Sequence, residues 1–161
     1  MQNITLIVVG KLGQKFLQEG CAEYQKRLTA FCNFKVVELP EETIHEKSAS
    51  DTVVEKALEK EADRILAAVP RSAQLCALCI EGKPISSEEL AAYFNERALS
   101  GSGDIAFVIG SSHGLSPRVK QAAAKRISMS RMTFPHQLAR LLLTEQIYRA
   151  CTINGGVKYH K

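Results

Sequence analysis

Short apolar runs alternate along the chain with longer segments whose apolar residues recur every three or four positions. The runs predict five buried strands, at residues 4–9, 34–39, 75–80, 105–109 and 127–130. The longer segments predict five helices, at residues 14–31, 50–69, 86–99, 116–126 and 135–151. This alternation is typical of an α/β fold, with a mostly parallel sheet and helices on both faces.

Local signals define several boundaries. Ser50 is a predicted N-cap, and Ser86 followed by Glu89 predicts a capping box. Residues 81–84 are expected to form a turn, as are residues 154–156, which contain two consecutive glycines. The chain has 161 residues and neither a repeat nor a low-complexity segment, so we expect a single domain over residues 1–161.

Charge is distributed unevenly along this domain. Residues 1–112 hold 12 Lys/Arg and 16 Asp/Glu, a net charge of −4, whereas residues 113–161 hold 9 Lys/Arg and one acidic residue, a net charge of +8. Such asymmetry indicates that the C-terminal third faces an anionic partner, although a basic surface without a partner is the alternative.

Neither the cysteines nor the hydropathy favours a metal-binding, secreted or membrane protein. Cys76 and Cys79 form a lone CxxC inside a strand-like run, without a second ligand pair, so we predict core thiols and no metal site. No apolar stretch approaches the roughly 18 residues of a membrane span, and the N-terminus does not read as a signal peptide. We therefore expect a cytoplasmic protein without a membrane partner.

Two segments are candidates for ligand binding. Residues 107–114 run from a strand into a Gly-Ser-Ser-His-Gly loop, and ligands of α/β sheets bind at that end of the strands. The loop matches neither a P-loop nor a dinucleotide fingerprint, and a tight turn without a ligand is equally compatible with it. Residues 127–136 present backbone amides and carbonyls for an adenine edge, or simply connect a strand to a helix.

The last helix and the tail are candidates for contact with RNA. His136, Arg140 and Thr144 share one stripe, which is typical of a cleft border, a subunit interface or a solvated face. Four apolar residues lie elsewhere on this helix and are predicted to be core: Leu138, Leu141, Leu142 and Ile147. The tail after residue 156 is either disordered or a jaw over a base, since tyrosine stacks, lysine contacts phosphate and histidine transfers protons.

Four segments together resemble the ribosomal RNA large-subunit methyltransferase H family of the SPOUT class. They are residues 78–83, 107–114, 133–137 and 159–161, and the resemblance covers essentially the whole chain. The chain departs from the family pattern at Ser111, where members usually have a second glycine. A serine does not adopt a positive φ cheaply, which puts the shape of this loop in question.

The resemblance implies the following properties. Members are homodimers with a C-terminal trefoil knot, and they transfer a methyl group from S-adenosylmethionine to N3 of a pseudouridine in 23S ribosomal RNA, in the assembled ribosome. The cofactor-contacting positions carry over onto Leu78, Gly110, Met129, Ser130, Arg131, Met132, Thr133 and Phe134.

On this basis we assign three catalytic roles. His160 is the predicted proton acceptor, Tyr159 stacks on or orients the base, and Arg140 contacts a phosphate or a carbonyl. Three alternatives remain open: a non-enzymatic RNA- or ribosome-binding factor on the same fold, a flavodoxin-like nucleotide or flavin module, and a methyltransferase acting on another RNA.

Overall fold

The computed structural model describes residues 1–45, 47 and 49–161. Strands and helices alternate strictly along them. In chain order the elements are β1 (Asn3–Val9), α1 (Lys15–Leu28), β2 (Asn33–Leu39), α2 (Asp51–Ala68), β3 (Gln74–Pro84), α3 (Ser87–Leu99), β4 (Ile105–Ile109), α4 (Pro117–Ala122), β5 (Lys125–Ser128) and α5 (His136–Asn154).

The five strands form one sheet in the order β2-β1-β4-β3-β5, and all of its pairings are parallel. Side chains of α1, α3 and α5 pack on one face, around Leu28, Phe94 and Ile147. Those of α2 and α4 pack on the other face, around Ile65 and Val119. The predicted α/β class with helices on both faces is therefore confirmed, and β4 is buried along its whole length, as a central strand should be.

The predicted caps are present. The Ser50 hydroxyl accepts the Val53 amide at the start of α2. At α3, the Ser86 hydroxyl accepts the Glu89 amide and the Glu89 carboxylate accepts the Ser86 amide, which completes the capping box. These side chains satisfy amides that the first helical turn leaves without a partner.

The capping box leads to a stability prediction. Ser86→Ala should lower the free energy of unfolding by about 1 kcal/mol, because the Glu89 amide in the first turn of α3 loses its hydroxyl partner. Urea denaturation followed by circular dichroism measures the change. Ser87→Ala is the matched control, since this hydroxyl bonds the Gln146 side chain rather than the helix end. An equal loss in both variants would contradict the capping role.

Several boundaries differ from the sequence prediction: α1 ends at Leu28 rather than at residue 31, and β5 covers Lys125–Ser128 rather than residues 127–130. The turn expected at residues 81–84 is instead part of β3, which continues to Pro84. The helix expected to reach residue 126 ends at Ala122, because the following residues enter the sheet beside β3 as β5. The last helix continues past residue 151 to Asn154 and ends at the predicted glycine turn.

The contact between β3 and β5 is irregular where the two strands approach the carboxyl edge of the sheet. Leu78 and Lys83 both pair with Ile127, so the four residues between them bulge out of the ladder. A Cβ on Gly82 would lie 2.4 Å from the backbone carbonyl carbon of Ile127. Only glycine therefore lets the chain return to the sheet here.

No helix in the described part of the chain is long and apolar enough to cross a membrane. The trefoil knot implied by the resemblance and the single-domain organisation over residues 1–161 stay predictions.

Candidate active site

A cleft of about 680 Å³ lies across the carboxyl ends of β3, β4 and β5. Its walls are the β3 bulge, the loop after β4, the segment after β5 and the start of α5. Seven of the eight predicted cofactor positions line it: Leu78, Gly110, Met129, Ser130, Met132, Thr133 and Phe134. Arg131 is exposed and is not part of the lining.

The loop after β4 folds back tightly on itself. The Gly114 amide donates to the Ser111 carbonyl at 2.9 Å, and Gly114 has a φ of +87°. A Cβ on Gly110 would lie 2.2 Å from the Gly114 carbonyl oxygen. Gly110 is therefore required because the backbone at Gly114 passes too close for a side chain, and Gly114 is required because of its positive φ. Together the two glycines expose backbone groups at the bottom of the cleft.

Ser111 fits this loop without backbone strain. None of the described non-glycine residues has a positive φ, and Ser111 is among them. Its side chain is buried, and its hydroxyl donates to Glu61 at 3.0 Å. Serine at position 111 therefore places no backbone strain on the loop.

The β3 bulge forms a wall with both charged and apolar groups. Glu81 pairs with Lys120 of α4 at 2.5 Å, and the hydrogen bond from this lysine lowers the pKa of the Glu81 carboxyl. Ile80 is 78% exposed although it lines the cleft. An exposed isoleucine at the rim of a cleft is available to cover a ligand.

The segment after β5 is held in shape by short-range hydrogen bonds. The Ser128 hydroxyl donates to the Ser130 carbonyl at 2.8 Å, and the Ser130 hydroxyl accepts the Met132 amide at 3.0 Å. Met132 lines the cleft although it is 75% exposed. The apolar and backbone surface in this segment suits a planar heterocycle.

Sequence reasoning placed His136 on a stripe that could border a cleft, but it assigned no role there to His113, Glu81 or Lys120. His113 and His136 lie in its lining, as do Glu81 and Lys120. Both histidines fell within segments already singled out, so their position was detectable. The Glu81–Lys120 pair was not, because 39 positions separate two side chains that only the β3 bulge brings together.

The CxxC motif is split between the core and the cleft. Cys76 is fully buried and Cys79 is half-buried in the cleft wall. Burial raises the pKa of Cys76 to about 12, and burial is also the main cause that raises the pKa of Cys79. Among the described residues, no three His, Cys, Asp or Glu side chains lie together as a possible metal site.

This burial leads to a reactivity prediction. At pH 8 iodoacetamide should alkylate Cys79 slowly and leave Cys76 untouched in the native protein, because only thiolates react and Cys76 is inaccessible as well. Peptide mass spectrometry measures the rates. Saturating S-adenosylmethionine should slow the reaction at Cys79, whereas FMN should not. Unchanged labelling of Cys79 would contradict ligand binding against this wall.

Arg140 lies outside the main cleft. Its side chain is 7% exposed, and Nη1 donates to Glu38 at the end of β2 at 2.8 Å. Its Nε is buried without a hydrogen-bond partner. The guanidinium borders a neighbouring cavity of about 340 Å³, which Lys11 and Gln25 also line.

The tail folds back onto the helices of one sheet face rather than into the cleft. The Tyr159 ring packs edge-on against Tyr148 at 4.8 Å, and its hydroxyl donates to Glu145 at 3.0 Å. Burial, together with Tyr24 and Glu145, raises the pKa of Tyr159, so the phenol stays protonated. The tail is therefore ordered, and the disordered alternative is wrong.

His160 has both ring nitrogens engaged. Arg149 lies 3.2 Å from Nδ1 and Glu88 lies 2.7 Å from Nε2. Because a guanidinium only donates, Nδ1 must accept and Nε2 must carry the proton towards Glu88. The imidazole lowers the pKa of Glu88 through this hydrogen bond. In this arrangement the basic lone pair of His160 is occupied.

The last helix buries its polar stripe and leaves several leucines partly exposed. Arg140 and Thr144 are buried, and the Thr144 hydroxyl donates to the Arg140 carbonyl. The solvated-stripe alternative is therefore wrong. Ile147 is core as predicted, but three predicted core residues are only half-buried: Leu138, Leu141 and Leu142.

A parallel sheet with a ligand-sized cleft at its strand ends defines the class of this protein, an α/β protein with a candidate small-molecule site. A family model described as "Predicted SPOUT methyltransferase" matches residues 2–160. Among curated proteins, "Ribosomal RNA large subunit methyltransferase H" of Ligilactobacillus salivarius is 50% identical over 159 residues, covering 99% of both chains. Its Streptococcus uberis counterpart is 49% identical over 158 residues, covering 98% of this chain and 99% of the relative.

The chain belongs to the SPOUT methyltransferase family and, within it, to the ribosomal RNA large subunit methyltransferase H group. A solved structure, that of a probable methylase family protein from Haemophilus influenzae, matches with a TM-score of 0.51 at 15% identity. The match covers 99% of this chain and 70% of the Haemophilus influenzae chain. At this low identity it supports the fold alone.

Proposed function

We propose that this protein is a cytoplasmic, S-adenosylmethionine-dependent enzyme that methylates N3 of a pseudouridine in 23S ribosomal RNA, on the assembled ribosome. The observation that carries the proposal is the cleft itself. It gathers segments 78–81, 110–115 and 128–136 of the chain at the carboxyl edge of a SPOUT-family sheet.

The lining of the cleft fits S-adenosylmethionine. Its volume falls within the roughly 300–1,000 Å³ of small-molecule sites. Leu78, Met129 and Phe134 offer apolar surface for an adenine, while the loop after Gly110 offers backbone groups. Glu81 supplies a carboxylate for the ammonium or the hydroxyls of the ligand.

Each part of the site then has a defined task. When bound, S-adenosylmethionine supplies an electrophilic methyl group. The chain must hold the target base so that N3 approaches that methyl group to about 3–3.5 Å, and it must accept the N3 proton. His160 remains our proposed proton acceptor, a role that requires Nδ1 to leave Arg149 when RNA binds.

The surface charge supports an RNA partner. Four basic side chains of the C-terminal third pair with carboxylates: Arg118, Lys120, Arg140 and Arg149. Other cations of this third are exposed and available for phosphates: Lys125, Arg126, Arg131, Lys158 and Lys161. Neutralising phosphates makes the affinity for RNA fall as the salt concentration rises.

The position of the tail supports a composite site in a homodimer. Tyr159 and His160 contact α1, α3 and α5, and neither residue lines the cleft of its own chain. The half-buried leucines of α5 offer apolar surface to a second copy. We propose that each cleft is completed by the tail of the partner, with Tyr159 stacking on the base and Arg140 contacting a phosphate or a carbonyl.

Calorimetry and a methylation assay test this function. Saturable binding of S-adenosylmethionine, without binding of FMN or ATP, is expected. Methyl transfer to ribosomes that lack the modification should then raise the mass of one pseudouridine nucleoside by one methylene. Ribosomes that carry uridine instead of pseudouridine at that position are the matched control substrate.

The outcomes separate the alternatives. Binding of S-adenosylmethionine with transfer to another RNA would retain the class of enzyme and replace the substrate. RNA or ribosome binding without binding of S-adenosylmethionine would favour a non-enzymatic binding factor. Binding of FMN or ATP in its place would favour a nucleotide or flavin module.

A further inference from the structure

A buried carboxylate on α2 lies directly behind the loop that follows β4. The side chain of Glu61 is only 3% exposed and is not part of the cleft lining. One of its oxygens accepts the Ser111 hydroxyl at 3.0 Å, and the other accepts the Glu42 amide at 2.9 Å. Neither contact takes part in the chemistry proposed above.

Stability alone does not account for a carboxylate at this position. Glu61 is followed on α2 by Ala62 and Ile65, which belong to the apolar layer on this face of the sheet. Desolvation of a carboxylate opposes folding, and well-packed apolar side chains usually stabilise such a position at least as well. In agreement, burial is the main cause that raises the pKa of Glu61, with Glu41 and Glu42 contributing in the same direction.

The two hydrogen bonds of Glu61 join the cleft loop to a braced segment. Glu42 pairs with Arg64 of α2 at 3.2 Å, and Arg64 also donates to the Pro40 carbonyl at 3.0 Å. The connection after β2 is thereby fixed to α2. Glu61 extends this bracing to Ser111, the residue that follows Gly110 and whose carbonyl closes the loop onto Gly114.

We infer that Glu61 is a positioning residue, which holds the Gly110–Gly114 loop through the Ser111 hydroxyl in the conformation that binds the methyl donor. The inference rests on the proposed function, because it assigns the loop to S-adenosylmethionine. The Glu61 side chain would thus influence the affinity for S-adenosylmethionine without contacting this ligand. Ser111 is then an anchor of the loop.

Four variants test the inference: Ser111→Ala, Glu61→Leu, the double variant of both, and the conservative Glu61→Gln. Binding of S-adenosylmethionine should weaken on the order of tenfold in the first three, since each loses a hydrogen bond to a charged group. Glu61→Gln should stay within about threefold, because its amide can still bond both partners.

The double variant separates positioning from folding. Removing both members of a buried polar pair is nearly neutral for stability, whereas removing one leaves the other without a partner. The melting temperature of the double variant should therefore lie closer to that of the wild type than the melting temperature of Glu61→Leu does. The double variant should nevertheless bind S-adenosylmethionine as weakly as Glu61→Leu. Amides 111–115 should also exchange hydrogen faster in the unliganded double variant.

Glu59→Gln is the matched control. Glu59 lies on the same helix and contacts another serine, Ser116, but its carboxylate is half-exposed and outside the cleft. The affinity of the Glu59→Gln variant for S-adenosylmethionine should stay within twofold of the wild type. At saturating S-adenosylmethionine, kcat should stay within twofold in Ser111→Ala, while KM for the methyl donor rises.

The results distinguish failure of this inference from failure of the function. If the wild type does not bind S-adenosylmethionine, the proposed function and the inference both fall. If the wild type binds it and the double variant binds within twofold, only the positioning role of Glu61 is overturned. Weakened binding in Glu59→Gln to the same extent would also overturn it.

Discussion

Gly110→Ala is expected to abolish measurable binding of S-adenosylmethionine, a loss of at least about 100-fold. The added Cβ would lie 2.2 Å from the Gly114 carbonyl oxygen, and a backbone atom of a closed loop has no rotamer with which to move aside. The loop must therefore open, which removes the bottom of the cleft. Calorimetric titration measures the loss, and thermal unfolding should show a destabilisation of about 1–3 kcal/mol.

Gly101→Ala is the control for a nonspecific loss of stability. Gly101 has a φ of +105° and no atom near its missing Cβ, so alanine is strained there without a clash. It lies in the turn after α3, outside the lining of the cleft. A comparable drop in melting temperature with unchanged binding is expected. If Gly110→Ala binds as the wild type does, the loop is not the cofactor site.

His160→Ala is expected to slow methyl transfer by about 100- to 10,000-fold while the affinity for S-adenosylmethionine stays within twofold. The substitution removes the proposed proton acceptor, and the tail lies outside the cleft of its own chain. Single-turnover methylation of ribosomes measures the rate. Glu88→Ala is the matched variant, because it releases Nε2 but keeps the imidazole, and it should retain activity within about tenfold.

Mixed dimers determine whether the tail acts on the partner's cleft. A dimer of one Gly110→Ala chain and one His160→Ala chain contains one intact site if clefts and tails combine across subunits, and none if they combine within a chain. About half of the wild-type activity is expected. Wild-type turnover in both His160→Ala and a deletion of residues 159–161 would contradict any catalytic role of the tail.

Local chemistry was enough to predict most of the fold. The apolar run 105–109 and the Ser86–Glu89 box led directly to β4 and the start of α3, because each depends on residues adjacent in sequence. Residues 81–84 were assigned wrongly for the opposite reason. Their Glu-Gly-Lys-Pro sequence favours a turn, but pairing of Lys83 and Pro84 with β5 extends the strand through it.

The candidate site was likewise predictable only where it depends on local sequence. The segments after β4 and β5 were identified along the chain, since glycines and a Pro-initiated helix mark strand ends. Arg140 was placed by helical spacing on a stripe that the structure then buries against Glu38. Spacing locates a residue on a helix but does not determine which side of the helix faces the sheet.

The sequence by itself determined the α/β class, the strand ends that carry the cleft and the charge asymmetry, because these follow from local pattern and composition. The family followed from the resemblance of four segments, and the family model matches it. Only the tertiary structure decided that Ser111 keeps an unstrained backbone and bonds Glu61, and that Arg149 and Glu88 engage His160. These contacts join residues that lie between 11 and 72 positions apart in the chain. They depend on how strands and helices pack, and no periodicity along the sequence encodes that packing.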